Sequence, residues 1–201
     1  MFPRDVTLID IERLDRMAAA AVETLQMDED TFRAFYDRTA RPVWVYLARI
    51  TGDRAIADDL LQESYYRFLR AERSFASESH RRNYLYRIAT NLCMDQLRRR
   101  KLIRWEPWEA FVSLFHPKQV ARDNPERDAL RQESRELVHR VLQELPPRYR
   151  ICLVLREYHG MSCEEIGDVI GSSRSAVKSL LFRAREEFRQ VYQRMGGTDP
   201  L

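Results

Sequence analysis

Residues 161–188 read MSCEEIGDVIGSSRSAVKSLLFRAREEF. Ser162 followed three residues on by Glu165 is a capping box, in which two side chains satisfy backbone N–H groups at a helix start. Ile166, Val169 and Ile170 give the short helix that follows one apolar face. Gly171 suits the left-handed conformation that ends a helix, and Ser172 or Ser173 can cap the next. There Val177, Leu181, Ala184 and Phe188 recur at spacings of 4, 3 and 4, forming a seam to bury. A short helix, a tight glycine turn and a longer helix make a helix-turn-helix.

The second helix has a face to read. At about 100° per residue, Ser175, Lys178, Ser179, Phe182 and Arg183 point away from the seam, flanked by Arg174, Arg185 and Arg189. Cations, small hydroxyls and one apolar group suit the base edges of a DNA major groove. The same residues also suit an ordinary helical hairpin with a solvated basic face, and Phe182 alone also suits a core.

Upstream, helical periodicity continues. Glycine is scarce, at 6 residues, and β-branched runs are short, so the chain reads as all-α. Residues 1–27 hold an amphipathic pattern at Leu8, Ile11, Leu14 and Met17. A firm helical block follows Asp28, with Pro42 expected to kink or split it and Thr51-Gly52-Asp53 to stop it. The next helix, about Ala55 to Ala71, has Leu61, Tyr65, Phe68 and Leu69 as its expected buried stripe. Asp58, Asp59, Gln62, Glu63 and Arg67 lie off that stripe. Ser74 to His80 reads as a loop, then a helix runs from about Arg82 to Lys101.

On that helix Tyr84, Arg87, Asn91, Asp95 and Arg98 share a face opposite Leu85, Ala89 and Leu92. From Arg81 to Arg104 there are eight basic residues and one acid, Asp95. Basic residues interleaved with an aromatic and an amide suit phosphates and unstacked bases, although a basic helix C-terminus is also what the macrodipole favours. Residues 102–124 interleave Trp105, Trp108 and Phe111 with charge and proline and read as a linker. A further helix follows Asn124, Leu145-Pro146-Pro147 breaks it, and a helix from Pro147 to Tyr158 is expected to bury Ile151, Val154 and Leu155.

Composition excludes several classes. The 201 residues are 44% hydrophobic and 32% charged, which argues for packed cores over disorder. The 34 basic and 31 acidic residues leave a net charge of +3, so this is no polycation, and any nucleic-acid site must come from where the charges sit. No run approaches 18 apolar residues, so no membrane span is expected, and the first ten residues lack a signal-peptide core. Three widely spaced cysteines without a CxxC suit a reducing cytoplasm, and four scattered histidines suggest no metal site. No glycine-rich phosphate cradle is present, so no nucleotide cofactor is expected. Asp58, Asp59 and Glu63 suit a surface for a basic protein partner better than acid–base or metal chemistry, since no supporting histidine or second carboxylate cluster lies nearby in sequence.

Taken together, these blocks resemble an extracytoplasmic-function sigma factor, a promoter-specificity subunit of bacterial RNA polymerase. The first block, 28–101, is similar to sigma region 2 through Ala57-Asp58-Asp59-Leu60-Leu61-Gln62-Glu63, Arg73-Ser74-Phe75 and Tyr84-Leu85-Tyr86-Arg87-Ile88-Ala89-Thr90-Asn91. The second, 125–192, is similar to sigma region 4 through Leu145-Pro146-Pro147-Arg148-Tyr149-Arg150 and Ala176-Val177-Lys178-Ser179. The resemblance implies two small helical domains joined by the 102–124 linker, with a 1–27 extension and a 193–201 tail. It implies no catalytic residue, no cofactor and no metal. Asp58, Asp59, Gln62, Glu63 and Arg67 would bind core polymerase at the β′ clamp helices, with the β flap as a further contact. Phe75, Tyr84, Arg87, Asn91, Asp95 and Arg98 would open and hold the minus-ten promoter element, with Phe75 and Asn91 contacting the base. Arg174, Ser175, Lys178, Ser179, Phe182 and Arg183 would contact the minus-thirty-five element. A cognate anti-sigma factor is expected, and interdomain packing is the expected role of Trp105, Trp108 and Phe111. Tyr84 stands where many members carry Trp, and Leu180 where many carry Arg. The competing reading is a stand-alone dimeric helix-turn-helix regulator, with half-sites about one helical turn apart.

Overall fold

The computed structural model describes residues 28–71, 73–101 and 125–197. The expected extension 1–27, the aromatic linker 102–124 and the end of the tail lie outside these residues, as do the side chains of residues 100, 101 and 125–131. The described residues are helical, without strands: α1 Glu29–Thr51, α2 Arg54–Arg70, α3 Glu78–Lys101, α4 Pro125–Glu144, α5 Pro147–Leu153, a π-helical turn Val154–Tyr158, α6 Cys163–Ile170 and α7 Arg174–Arg194.

Local chemistry sets the boundaries. The Asp28 carboxylate accepts from Thr31 N–H at 2.7 Å and starts α1, a bond that holds this carboxyl below its usual range. Gly52, at φ 70°, closes α1 in the left-handed conformation, and Asp53 caps α2 through Ile56 N–H. Pro42 does not split α1, which runs through it unbroken. Both Pro42 and Arg38 are exposed, so the hydrogen bond lost to the missing N–H falls on the outer side of the helix. Helix α3 begins four residues before the expected Arg82, at Glu78, because the Ser77 hydroxyl accepts from His80 N–H at 3.2 Å.

Two other expectations change. Of the expected α2 stripe, Tyr65 and Phe68 are buried and Leu61 is half-buried, but Leu69 is 51% exposed, and Ala57 and Ser64 complete the buried face. The expected helix to Tyr158 turns into a π-helix from Val154, and Met161 N–H bonds the Leu155 carbonyl at 3.1 Å. This wider turn displaces Tyr158 and His159 from the α-helical positions they would otherwise take.

Helices α1, α2 and α3 pack as one lobe, and α4 to α7 as a second. The two lobes share one hydrophobic core, because α3 packs on α6 and α1 on the π turn and α5. That placement gives α3 a second buried face. Besides Leu85, Ala89 and Leu92, it buries Asn83, Tyr86, Thr90 and Cys93. The Tyr46 hydroxyl pairs with Thr90 at 2.7 Å, and that of Tyr86 with His159 Nδ1 at 3.1 Å. The rings of Tyr46, Tyr86 and His159 meet edge-on, with centroids 5.3–5.8 Å apart. Buried hydroxyls without such partners would each cost about 1–3 kcal/mol.

Arg150 is the polar hinge-pin between the lobes. It is buried, and donates to the Ile50 carbonyl at 2.6 Å and the Gln143 carbonyl at 2.6 Å. It also donates to the Gln143 amide oxygen and, at 3.3 Å, to the Leu145 carbonyl. Gln143 in turn donates to the Arg49 carbonyl at 2.8 Å, and the Arg49 guanidinium lies 3.7 Å from the Tyr158 ring centroid.

Candidate nucleic-acid interface

The helix-turn-helix forms as its sequence requires. Ser162 and Glu165 make the reciprocal capping box, Gly171 is left-handed at φ 67°, and of the two serines it is Ser173 that caps α7. Val177, Leu181 and Ala184 are buried, while Phe188 is half-buried and stacks on Tyr192. Arg174, Ser175, Lys178, Ser179, Phe182 and Arg183 are all exposed on α7. Phe182, at 73%, is the most exposed large apolar side chain among the described residues. It is therefore not a core residue here. Ser179 Oγ bonds the Ser175 carbonyl and Arg183 Nε the Ser179 carbonyl, which lays both along the helix. Arg174 pairs with Glu164 at 3.1 Å, an exposed pair of small net worth.

Leu180 is half-buried. It borders an apolar groove of about 360 Å³ between the lobes, facing Met94, Leu97, Pro147 and Tyr149. A leucine at this position supports lobe packing, where an arginine would reach for phosphate.

The six residues assigned to the minus-ten element divide between two clefts. Phe75, Tyr84 and Arg87 border one of about 570 Å³, together with Arg73, His80 and Asn83. Phe75 stacks on Phe68 at 5.6 Å, with planes 4° apart, and leans on Tyr84 at 5.4 Å. It therefore floors the cleft and carries part of the lobe's packing. The Arg73 guanidinium lies 5.2 Å from the Tyr84 ring. Asn91, Asp95 and Arg98 border a second cleft of about 610 Å³, with Arg98 held by Asp95 at 2.8 Å. Arg67, assigned by resemblance to polymerase binding, also borders this cleft, as do Arg148 and Ile170 of the second lobe.

On α2, Asp58, Asp59, Gln62 and Arg67 are exposed and Glu63 is half-buried. Asp58 accepts from Trp44 Nε1 at 2.6 Å and Glu63 from Arg67 Nε at 2.6 Å, so two of the carboxylates are held in place. Tyr66 and Leu69 stand exposed on the same helix. Sequence reasoning missed Arg73, His80, Asn83 and Arg148 as cleft residues. Arg148 lies in the other lobe from Asn91 and carries no signal in sequence that would join them. Among the described residues, no group of histidine, cysteine or acidic side chains is arranged to hold a metal, and no helix is long and apolar enough to cross a membrane.

The Sigma-70 region 2 model matches residues 35–103, and the Sigma-70, region 4 model matches residues 135–188. The chain is 31% identical over 180 residues to the ECF RNA polymerase sigma factor SigE of Mycolicibacterium smegmatis, covering 81% of this chain and 68% of that protein. It is 33% identical to the RNA polymerase sigma-H factor of Pseudomonas aeruginosa, over 73% of this chain and 78% of that one. Its fold is similar to that of the sigma factor RpoE solved with the anti-sigma factor NepR from Bartonella quintana, at TM-score 0.62 and 18% identity, covering 81% of this chain and 96% of that one. It is also similar to CnrH solved with the cytosolic domain of CnrY, at TM-score 0.61 and 21% identity, covering 89% and 96%. The chain belongs to the extracytoplasmic-function sigma factors, alternative sigma factors that direct RNA polymerase to promoters. Region 2 and region 4 in tandem disfavour the stand-alone dimeric regulator.

Proposed function

We propose that residues 28–101 dock on core polymerase and take the melted minus-ten strand, while residues 125–192 read the minus-thirty-five element. Residues 1–27, 102–124 and 193–201 are then extension, linker and tail. The acidic face of α2, from Asp58 to Glu63 with Arg67, is the docking surface for the β′ clamp helices. The Phe75–Tyr84–Arg87 cleft and the Asn91–Asp95–Arg98 cleft take the non-template strand, and a pocket for an unstacked base offsets the few kcal/mol lost on unpairing. On α7, Lys178, Ser179, Phe182 and Arg183 read the groove, with Arg174 and Ser175 at its entry and the β flap behind. The chain supplies specificity and opening, and no chemistry of its own.

The observation that carries this reading is the two-sided character of α7: Val177, Leu181 and Ala184 are buried, and the hydroxyl, cationic and phenyl groups opposite them are all in water. The solved relatives that carry partner chains support a similar anti-sigma partner for this chain. Reconstitution with core polymerase and mapping of transcript starts tests the assignment. We expect discrete starts only when chain and core enzyme are both present, and loss of promoter opening in Asn91→Ala with core binding retained. Tight binding to duplex promoter DNA without core enzyme, with unchanged opening by Asn91→Ala, would overturn it.

A further inference from the structure

Helices α1 and α2 form a hairpin about Gly52, and Thr51, the last residue of α1, stands midway in sequence between Trp44 and Asp58. The two residues therefore meet across the hairpin, about two turns from its bend. Trp44 Nε1–H donates to Asp58 Oδ1 at 2.6 Å. The indole is half-buried and packs against the hydrophobic core, whereas Asp58 is exposed on the acidic face of α2. A ring held by packing thus fixes the direction of a carboxylate that stands in water.

The carboxylates of that face are not equivalent. Glu63 accepts from Arg67 Nε at 2.6 Å, an ion pair that offsets its charge locally. Asp58 is held by a neutral donor, so the bond aims it without cancelling its charge. A carboxylate has about four lone-pair sites and the indole offers a single N–H, so Asp58 keeps acceptors for a partner. An exposed side chain that rotates freely loses that freedom when it binds, and one already fixed has less to lose.

We propose that Trp44 is a positioning residue for core polymerase: its indole N–H presets the Asp58 carboxylate for a guanidinium or ammonium group of the clamp helices. This rests on the docking assignment above. In this arrangement Trp44 acts through Asp58, so its contribution to docking vanishes when the carboxylate is removed.

The test titrates core RNA polymerase into the full chain carrying fluorescein at its N-terminus and reads anisotropy in a double-mutant cycle. Trp44→Phe keeps an apolar ring and removes the N–H. Benzothienylalanine at position 44 keeps the whole bicycle and puts sulfur in place of the N–H. We expect either change to weaken binding to core about fivefold when Asp58 is present, and to change nothing in an Asp58→Ala background. A merely structural role would weaken binding equally in both backgrounds. If the triple variant Asp58→Ala, Asp59→Ala, Glu63→Ala loses affinity but the Trp44 changes cost nothing, or cost as much without Asp58 as with it, the positioning role is overturned and the docking face stands. If the triple variant binds core as tightly as wild type, the docking assignment falls, and this proposal with it.

Discussion

Phe182 and Arg150 show two opposite uses of a single side chain. A phenyl ring that is 73% exposed contributes little to the fold, so it has little stability to lose. Phe182→Ala should change unfolding free energy by less than about 0.5 kcal/mol in urea titration. Transcription from promoters that depend on the upstream element should nevertheless fall about fivefold or more, as for the loss of one base contact. Equal transcription by wild type and variant would remove Phe182 from the reading face. Arg150 is buried, and its fork joins the carbonyls of Ile50, Gln143 and Leu145. Burial draws its guanidinium down to about 10, which leaves it charged at neutral pH. A lysine there would offer a point charge where several acceptors in different directions need a planar fork.

At the scale of the element, Gly167 governs the helix-turn-helix. A Cβ at Gly167 would lie 2.5 Å from the Ser172 carbonyl oxygen, whose own N–H bonds the Gly167 carbonyl at 3.0 Å. Gly167→Ala must push the turn open, at about 1–3 kcal/mol. Denaturant midpoints should drop accordingly, and upstream-dependent transcription should suffer more than binding to core enzyme. The sequence made the helix-turn-helix legible because its signals are local: a capping box, a left-handed glycine and a 4-3-4 seam. It concealed what depends on distant neighbours. Asn83, Tyr86 and Thr90 read as an ordinary polar-aromatic mixture, yet α6, His159 and Tyr46 from far along the chain bury them. Leu69 read as core because it is leucine, yet none of the described helices covers it. The π turn was illegible because Val154 to Tyr158 has ordinary helical periodicity, and the widening is stabilised by the later Met161 N–H. The candidate site followed the same pattern. Its cations were visible in sequence, and its division into two clefts partly walled by the second lobe was not.

The whole molecule carries a dependence on pH. His139 and His159 are both drawn down to about 4, first by burial and then by nearby arginines: Arg150 and Arg49 for His139, Arg49 and Arg82 for His159. In the folded chain both rings stay neutral, whereas the unfolded chain takes up protons near pH 6.5. Stability is therefore fully present above about pH 6.5 and falls as the pH drops toward 4, by at most about 1.4 kcal/mol per unit for each ring. Urea titrations at pH 7, 6 and 5 should show this loss. His159→Phe, which keeps an aromatic body against Tyr46 and Tyr86, should remove its share of the slope. An unchanged slope would exclude His159 as a source.

The bond from Arg150 to the Ile50 carbonyl joins residues 100 positions apart. On the ribosome that separation becomes time. At about 5–20 residues per second, the first lobe emerges some 5–20 s before the arginine that caps its last helical turns. During that interval the face of Tyr46 and Tyr86 has no covering, and the nascent chain presents an aromatic surface that chaperones or polymerase itself can meet first.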